Sequence, residues 1–124
     1  MSSWNPDTIR AIAGSDDLHI SPFRADGTTY GTPTWIWSVV VGDNLYVRAY
    51  NGTNGRWYQS AIEQKAGRIR AAGQTHEVLF EQADPAVNDA VDAAYEAKYK
   101  GSQYLPPMVT AKTQAATVKI SPRP

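Results

Sequence analysis

The stretch Pro33-Thr34-Trp35-Ile36-Trp37-Ser38-Val39-Val40-Val41-Gly42-Asp43-Asn44-Leu45-Tyr46-Val47-Arg48-Ala49-Tyr50-Asn51-Gly52 decides the fold. It reads as two β-strands joined by a Gly-Asp-Asn turn, because β-branched and aromatic residues cluster on both sides of a turn-forming triplet. In the first strand Trp35, Trp37, Val39 and Val41 share one face, and Ile36, Ser38 and Val40 share the other. Both faces are largely apolar, which predicts a strand covered on both sides or lining a barrel. The second strand turns Leu45, Val47 and Ala49 to one side and Tyr46, Arg48 and Tyr50 to the other. A lone arginine in so apolar a strand is either wet or meets an anion, since an unpaired buried guanidinium is costly.

Working outward, the loop Asn51-Gly52-Thr53-Asn54-Gly55 carries two turn-forming Asn-Gly-type elements, and Arg56-Trp57-Tyr58 follows. Such a loop can close a tight turn, or present successive N–H groups to an anion. A short helix is expected from Trp57 through Ala61 and Ile62. Upstream, Asn5-Pro6-Asp7-Thr8 opens a helix that turns Ile9 and Ile12 inward and stops at Gly14. Leu18–Ser21 alternates as a strand ended by Pro22, and Asp26-Gly27 marks a turn. Downstream, Gly67–Ala71 and His76–Phe80 form a strand pair about a turn at Gly73-Gln74-Thr75. Asp84-Pro85 starts a second well-marked helix with Val87, Val91, Tyr95 and Tyr99 on one stripe, ending by Gly101. Tyr104-Leu105-Pro106-Pro107 is expected to be extended. Ala116–Ile120 is a last strand, expected to pair with an early one and close a barrel. The pattern predicts one mainly β domain over residues 1–124, with two principal helices.

Composition narrows the function classes. Twelve basic and twelve acidic residues cancel, whereas nucleic-acid binders carry a basic excess. No apolar run approaches the roughly 18 residues of a membrane span, and no secretory signal pattern opens the chain. The chain has no cysteine, so thiolate chemistry and Cys-based metal sites are excluded and a cytoplasmic location is the default. His19 and His76 are the only histidines, and neither has a partner at metal-ligand spacing. No Gly-x-Ser-x-Gly, P-loop or dinucleotide fingerprint is present. Catalysis, if any, would then belong to a bound cofactor.

The candidate site is the aromatic and cationic hairpin itself. Arg48 either lies solvated beside Tyr46 and Tyr50, or grips a phosphate or carboxylate while the two tyrosines stack beside it. Trp35, Trp37 and Trp57 serve as core residues, or one of them stacks on a ring. Asn51, Gly52 and Arg56 supply amides and a further cation.

These residues bring a resemblance with them. Ser21-Pro22-Phe23-Arg24-x-Asp26-Gly27, Gly31-x-Pro33-x-Trp35-Ile36-Trp37, Leu45-Tyr46-Val47-Arg48, Asn51-Gly52 with Trp57-Tyr58, Ala71-Ala72-Gly73, and Asp92-x-Ala94-Tyr95-x-x-Lys98-Tyr99 carry it. Over nearly its whole length the chain resembles a family of small, uncharacterised, mostly bacterial proteins in the FMN-binding split-barrel superfamily. That superfamily includes pyridoxamine 5′-phosphate oxidases and deazaflavin-dependent nitroreductases. The resemblance implies a six-stranded antiparallel split β-barrel, a homodimer, and a flavin (FMN) or deazaflavin cofactor in a groove near the subunit interface. It also implies phosphate-holding segments at Arg24 to Thr29, including Thr28 and Thr29, and at Arg48 to Gly52. Where deazaflavin-dependent relatives carry Gly-Arg/Lys-x-Gly, this chain has Thr28-Thr29-Tyr30-Gly31, without a cation. Three functions follow as expectations: a flavin- or deazaflavin-binding oxidoreductase for a small organic substrate, a non-catalytic module for a small anionic or aromatic ligand, or a structural dimer with no ligand.

Overall fold

The computed structural model describes residues 3–123. Seven strands form one antiparallel sheet: β1 (His19–Pro22), β2 (Thr34–Trp35), β3 (Ser38–Val41), β4 (Asn44–Arg48), β5 (Ala66–Ala71), β6 (Gln74–Gln82) and β7 (Thr117–Pro122). Their order across the sheet is β2-β1-β5-β6-β7-β4-β3. The edges β2 and β3 are separated along the chain only by Ile36 and Trp37. Laid flat, seven strands at about 4.8 Å spacing would set those edges roughly 29 Å apart. Three residue steps reach at most roughly 11 Å. The sheet therefore curls into a half-barrel with a seam at Ile36-Trp37.

Seven strands replace the expected six because the Trp35–Val41 run is not one strand. Its first part pairs with β1 through His19↔Trp35, and its second pairs with β4 through Ser38↔Val47. The two faces fall as expected beyond the break. Trp37, Val39 and Val41 pack in one cluster, and Ile36 and Val40 pack against the other. The last strand β7 pairs with β4 and β6.

Inside the curl lies the main core, with Leu18, Ile20, Leu45, Val47, Ile69, Val78, Phe80, Val118 and Ile120 from the sheet. Helix α1 (Pro6–Ala13) adds Ile9 and Ile12; its cap is Asn5, whose side chain accepts the Asp7 and Thr8 N–H groups. Helix α2 (Arg56–Gln64) adds Tyr58 and Ala61. A second cluster forms outside β3 and β4, where α3 (Asn88–Lys98) lays Val91 and Tyr95 on Val39 and Tyr46, with Tyr99 and Met108 beside them. The Val87-Val91-Tyr95-Tyr99 stripe thus faces the sheet as its spacing predicts.

The described residues hold five α-helices where two principal ones were expected. One of them, α4 (Leu105–Met108), contains the two prolines expected to enforce an extended chain. Both sit in its first turn, where a missing N–H breaks no helical bond. Another is α5 (Ala111–Gln114), capped by Thr110.

Candidate functional site

Beside the seam the structure opens a pocket of about 880 Å³, within the usual range for small-molecule sites. The β2–β3 link gives Thr34 to Trp37, the end of β4 gives Arg48 to Asn51, the start of α2 gives Asn54 to Trp57, and Tyr104 and Met108 close a fourth side. The sequence candidates Trp35, Trp37, Arg48, Tyr50, Asn51, Arg56 and Trp57 are therefore gathered around one cavity.

The walls are aromatic and several rings are held in place. Trp35, Tyr50 and Tyr104 are 52%, 54% and 58% exposed, three of the four exposed large hydrophobic residues among those described. All three line this pocket, while the fourth, Leu79, does not. Trp35 is anchored by its indole N–H, which donates to the Asp16 carbonyl at 2.8 Å. Trp37 lies flat on Tyr99, with centroids 3.9 Å apart and planes 4° from parallel. The Tyr99 hydroxyl accepts from the Ser38 N–H at 3.0 Å and donates to Asp16 Oδ1 at 2.9 Å. Burial raises the Tyr99 pKa far above its ordinary value, so the hydroxyl keeps its proton and its donor role. Trp57 stands edge-on to Tyr58 at 6.4 Å.

Charge in the pocket divides unevenly between two arginines. The Arg48 side chain is buried and pairs with Asp92 of α3. Its Nε donates to Thr117 Oγ1 at 2.9 Å, Nη1 also to the Met108 carbonyl at 3.0 Å, and Nη2 to the Asn88 carbonyl at 3.3 Å. Four of its five N–H donors are thus committed. Asp92 is occupied in turn, accepting from Gln114 Nε2 at 2.8 Å. The solvated alternative for Arg48 does not hold, because α3 and α4 cover this face of β4 as far as Arg48 and leave only Tyr50 in the open. Arg56 differs in every respect. It is exposed, makes no ion pair among the described residues, and is the first residue of a helix with no side-chain cap and no acid in its first turn.

A family model matches residues 8–120, and its description is uncharacterized protein conserved in bacteria (DUF2255). The chain belongs to this family. No curated protein matches it.

In this DUF2255 chain four sequence candidates stand apart from the pocket lining. Arg24 donates from Nη2 to Thr32 Oγ1 at 3.3 Å, and its N–H donates to the Thr29 carbonyl at 2.8 Å. Thr28 and Thr29 give their N–H groups to Asp26 Oδ1 at 2.9 and 2.8 Å. The Thr29 hydroxyl bonds Asp26 too and, with those N–H groups, holds the Asp26 pKa down at about 2. This segment is a self-satisfied turn. Gly52 also falls outside the lining. It is buried with φ +69°, and a Cβ there would meet Lys112 Cγ at 2.8 Å, so its role is to let the loop pass under that side chain.

Sequence reasoning missed Tyr104 and Met108 as pocket residues in this DUF2255 fold. The double proline pointed to extended chain, so nothing in the spacing brought residues 104–108 back to the seam. Asp92 was visible only as part of the Asp92-x-Ala94-Tyr95 motif, without a link to Arg48. Among the described residues no group of three or more acidic or histidine side chains could hold a metal ion, and no helix is long and apolar enough to cross a membrane.

Proposed function

We propose that the seam pocket binds a flat aromatic ligand of the flavin or deazaflavin class, and that the protein is an oxidoreductase acting on a small organic substrate. The observation that carries this reading is the convergence of Trp35, Tyr50 and Tyr104 on one cavity that also holds Trp37 and Trp57. Exposed rings clustered on one cavity mark a binding surface, whereas apolar residues scattered singly are ordinary. A half-barrel of antiparallel strands is also compatible with the split barrel that the sequence resembles.

The residues present suit such a group. The lining offers ring faces for an isoalloxazine-type system and, among the described residues, contains no carboxylate to repel a phosphate. When bound, a flavin or deazaflavin supplies the hydride chemistry itself. This chain's own residues bind, orient and exclude water: Trp35, Tyr50 and Tyr104 cover the ring, and Trp37 on Tyr99 forms a rigid backing. Arg48, through Asp92 of α3 and the Met108 carbonyl of α4, holds both helices against β4. The same reading carries a homodimer, in which a second subunit would cover part of the open side; sedimentation velocity measures it.

Titrating FMN and a deazaflavin coenzyme separately into the protein tests the reading. Saturable quenching of tryptophan fluorescence is expected, because three of the four tryptophans line the pocket. No saturable binding of either compound would refute it. A second reading, a non-catalytic binding module, is favoured by one observation: among the described residues, and apart from hydroxyl groups, the lining holds no side chain suited to general acid or base work. That reading predicts ligand-dependent thermal stabilisation without turnover of any electron acceptor.

A further inference from the structure

The pocket's charge inventory singles out one residue. Among the described residues, Arg48 and Arg56 are the only charged side chains lining it. Arg48 is neutralised by Asp92 and has four donors engaged in the protein. Arg56 is exposed at the rim, with no ion pair among the described residues. Among the described residues the cavity therefore presents aromatic walls and one uncompensated positive charge, with no carboxylate in the lining to offset it.

We infer that Arg56 is the specificity-determining residue of the pocket, selecting a flat ligand that carries an anionic group over its neutral analogue, and that Arg48 does not make this distinction. The inference rests on the reading that the pocket takes a flat aromatic ligand. It does not require that ligand to be a flavin. A guanidinium at a solvated rim is screened, so the selectivity is modest. Exposed ion pairs contribute up to about 1 kcal/mol, which corresponds to a preference of roughly three- to fivefold. The preference should shrink as salt is raised.

Two matched probe pairs test it: the anionic 1-anilinonaphthalene-8-sulfonate against neutral N-phenyl-1-naphthylamine, and FMN against riboflavin. Dissociation constants are measured by fluorescence for the wild type, Arg56→Gln and Arg56→Lys. Among the described residues the Arg56 side chain has no partner whose loss would unfold the chain, and unchanged melting temperatures check that both variants fold. The wild type is expected to favour the anionic member of each pair it binds, Arg56→Gln to abolish that preference, and Arg56→Lys to restore most of it. An anion preference that survives Arg56→Gln, or no preference in the wild type, overturns the inference. Preference within the naphthalene pair with neither flavin bound upholds the role of Arg56 and removes the flavin reading. No binding of any probe overturns both.

Discussion

Replacing Arg48 with Met tests whether the guanidinium is built into the protein or held in reserve for a ligand. The substitution keeps the aliphatic stem but removes every donor from a side chain that is fully covered. The Met108 and Asn88 carbonyls lose donors at 3.0 and 3.3 Å, and Asp92 loses its cation. Thr117 Oγ1 retains its bond to the Gln114 carbonyl at 2.8 Å, and Asp92 retains Gln114 Nε2 at 2.8 Å. Each stranded buried acceptor costs about 1–3 kcal/mol. The Asp92 side chain is 20% exposed, so water reaches it and its share lies toward the low end. The sum falls near the 3–5 kcal/mol typical of breaking a buried ion pair from one side. For a chain of this length that corresponds to a fall in Tm of roughly 12–20 °C. Urea denaturation followed by tryptophan fluorescence gives the loss directly as a shift in midpoint at constant m-value. Pairing Arg48→Met with Asp92→Leu should recover a large part of it, because the second change removes the orphaned carboxylate. A loss below about 1 kcal/mol would refute this assignment, and if ligand affinity vanished at the same time, the phosphate grip would return to Arg48.

Three further outcomes follow from the same structure. Gly67→Ala places a Cβ 2.5 Å from the Ser21 carbonyl and 2.7 Å from Pro22 Cα, backbone atoms of the paired strand β1 that cannot move aside; a loss of at least about 2 kcal/mol in urea midpoint is expected, and a change within experimental error would contradict it. His76 packs edge-on to Trp4 at 5.4 Å, and burial lowers its pKa below the ordinary 6.5, so the folded state resists the proton. Its contribution to stability is therefore complete above about pH 6.5 and is lost as pH falls toward the lower folded-state pKa; His76→Gln should flatten the decline in urea midpoint between about pH 8 and pH 5.5, and equal slopes would count against it. Tyr104→Ala, at a side chain 58% exposed, should leave stability within about 0.5 kcal/mol yet weaken flat-ligand binding several-fold by fluorescence titration, and unchanged affinity would remove Tyr104 from the site.

What the sequence made legible is what local chemistry decides. The Asn5-Pro6-Asp7 start of α1, the alternation of β4 and the four-residue stripe of α3 all follow from caps and periodicity, and the structure has them. The break inside Trp35–Val41 was not legible, because both halves suit a strand equally well. The choice lies with their partners, β1 for one half and β4 for the other. Arg48 is the clearest case. Its strand position was evident, but whether it faces water, ligand or protein depends on Asp92, which lies 44 residues away. The Arg24–Thr29 segment failed as a pocket wall for a local reason: Asp26 satisfies the Thr28 and Thr29 donors within the turn itself.

The place of the pocket follows from the topology rather than from any single motif. An antiparallel sheet whose two edge strands are consecutive in the chain must bring those edges together, yet here β2 pairs only with β1 and β3 only with β4, so the two edges meet without pairing. Ile36 spends its N–H on the Leu18 carbonyl at 3.0 Å, leaving the link bound to β1's side rather than bridging the gap. Side chains must then fill the seam, and here they do so incompletely. Trp37 folds down onto Tyr99, while Trp35, across the break, stays in the open with its indole tied to Asp16. Rings held this way present ordered faces with little conformational entropy left to lose on binding. Filling the same seam with aliphatic residues would give a more stable barrel. That the chain instead keeps aromatic rings exposed, and places its one uncompensated pocket charge at their rim, is the physical case for a ligand at this position.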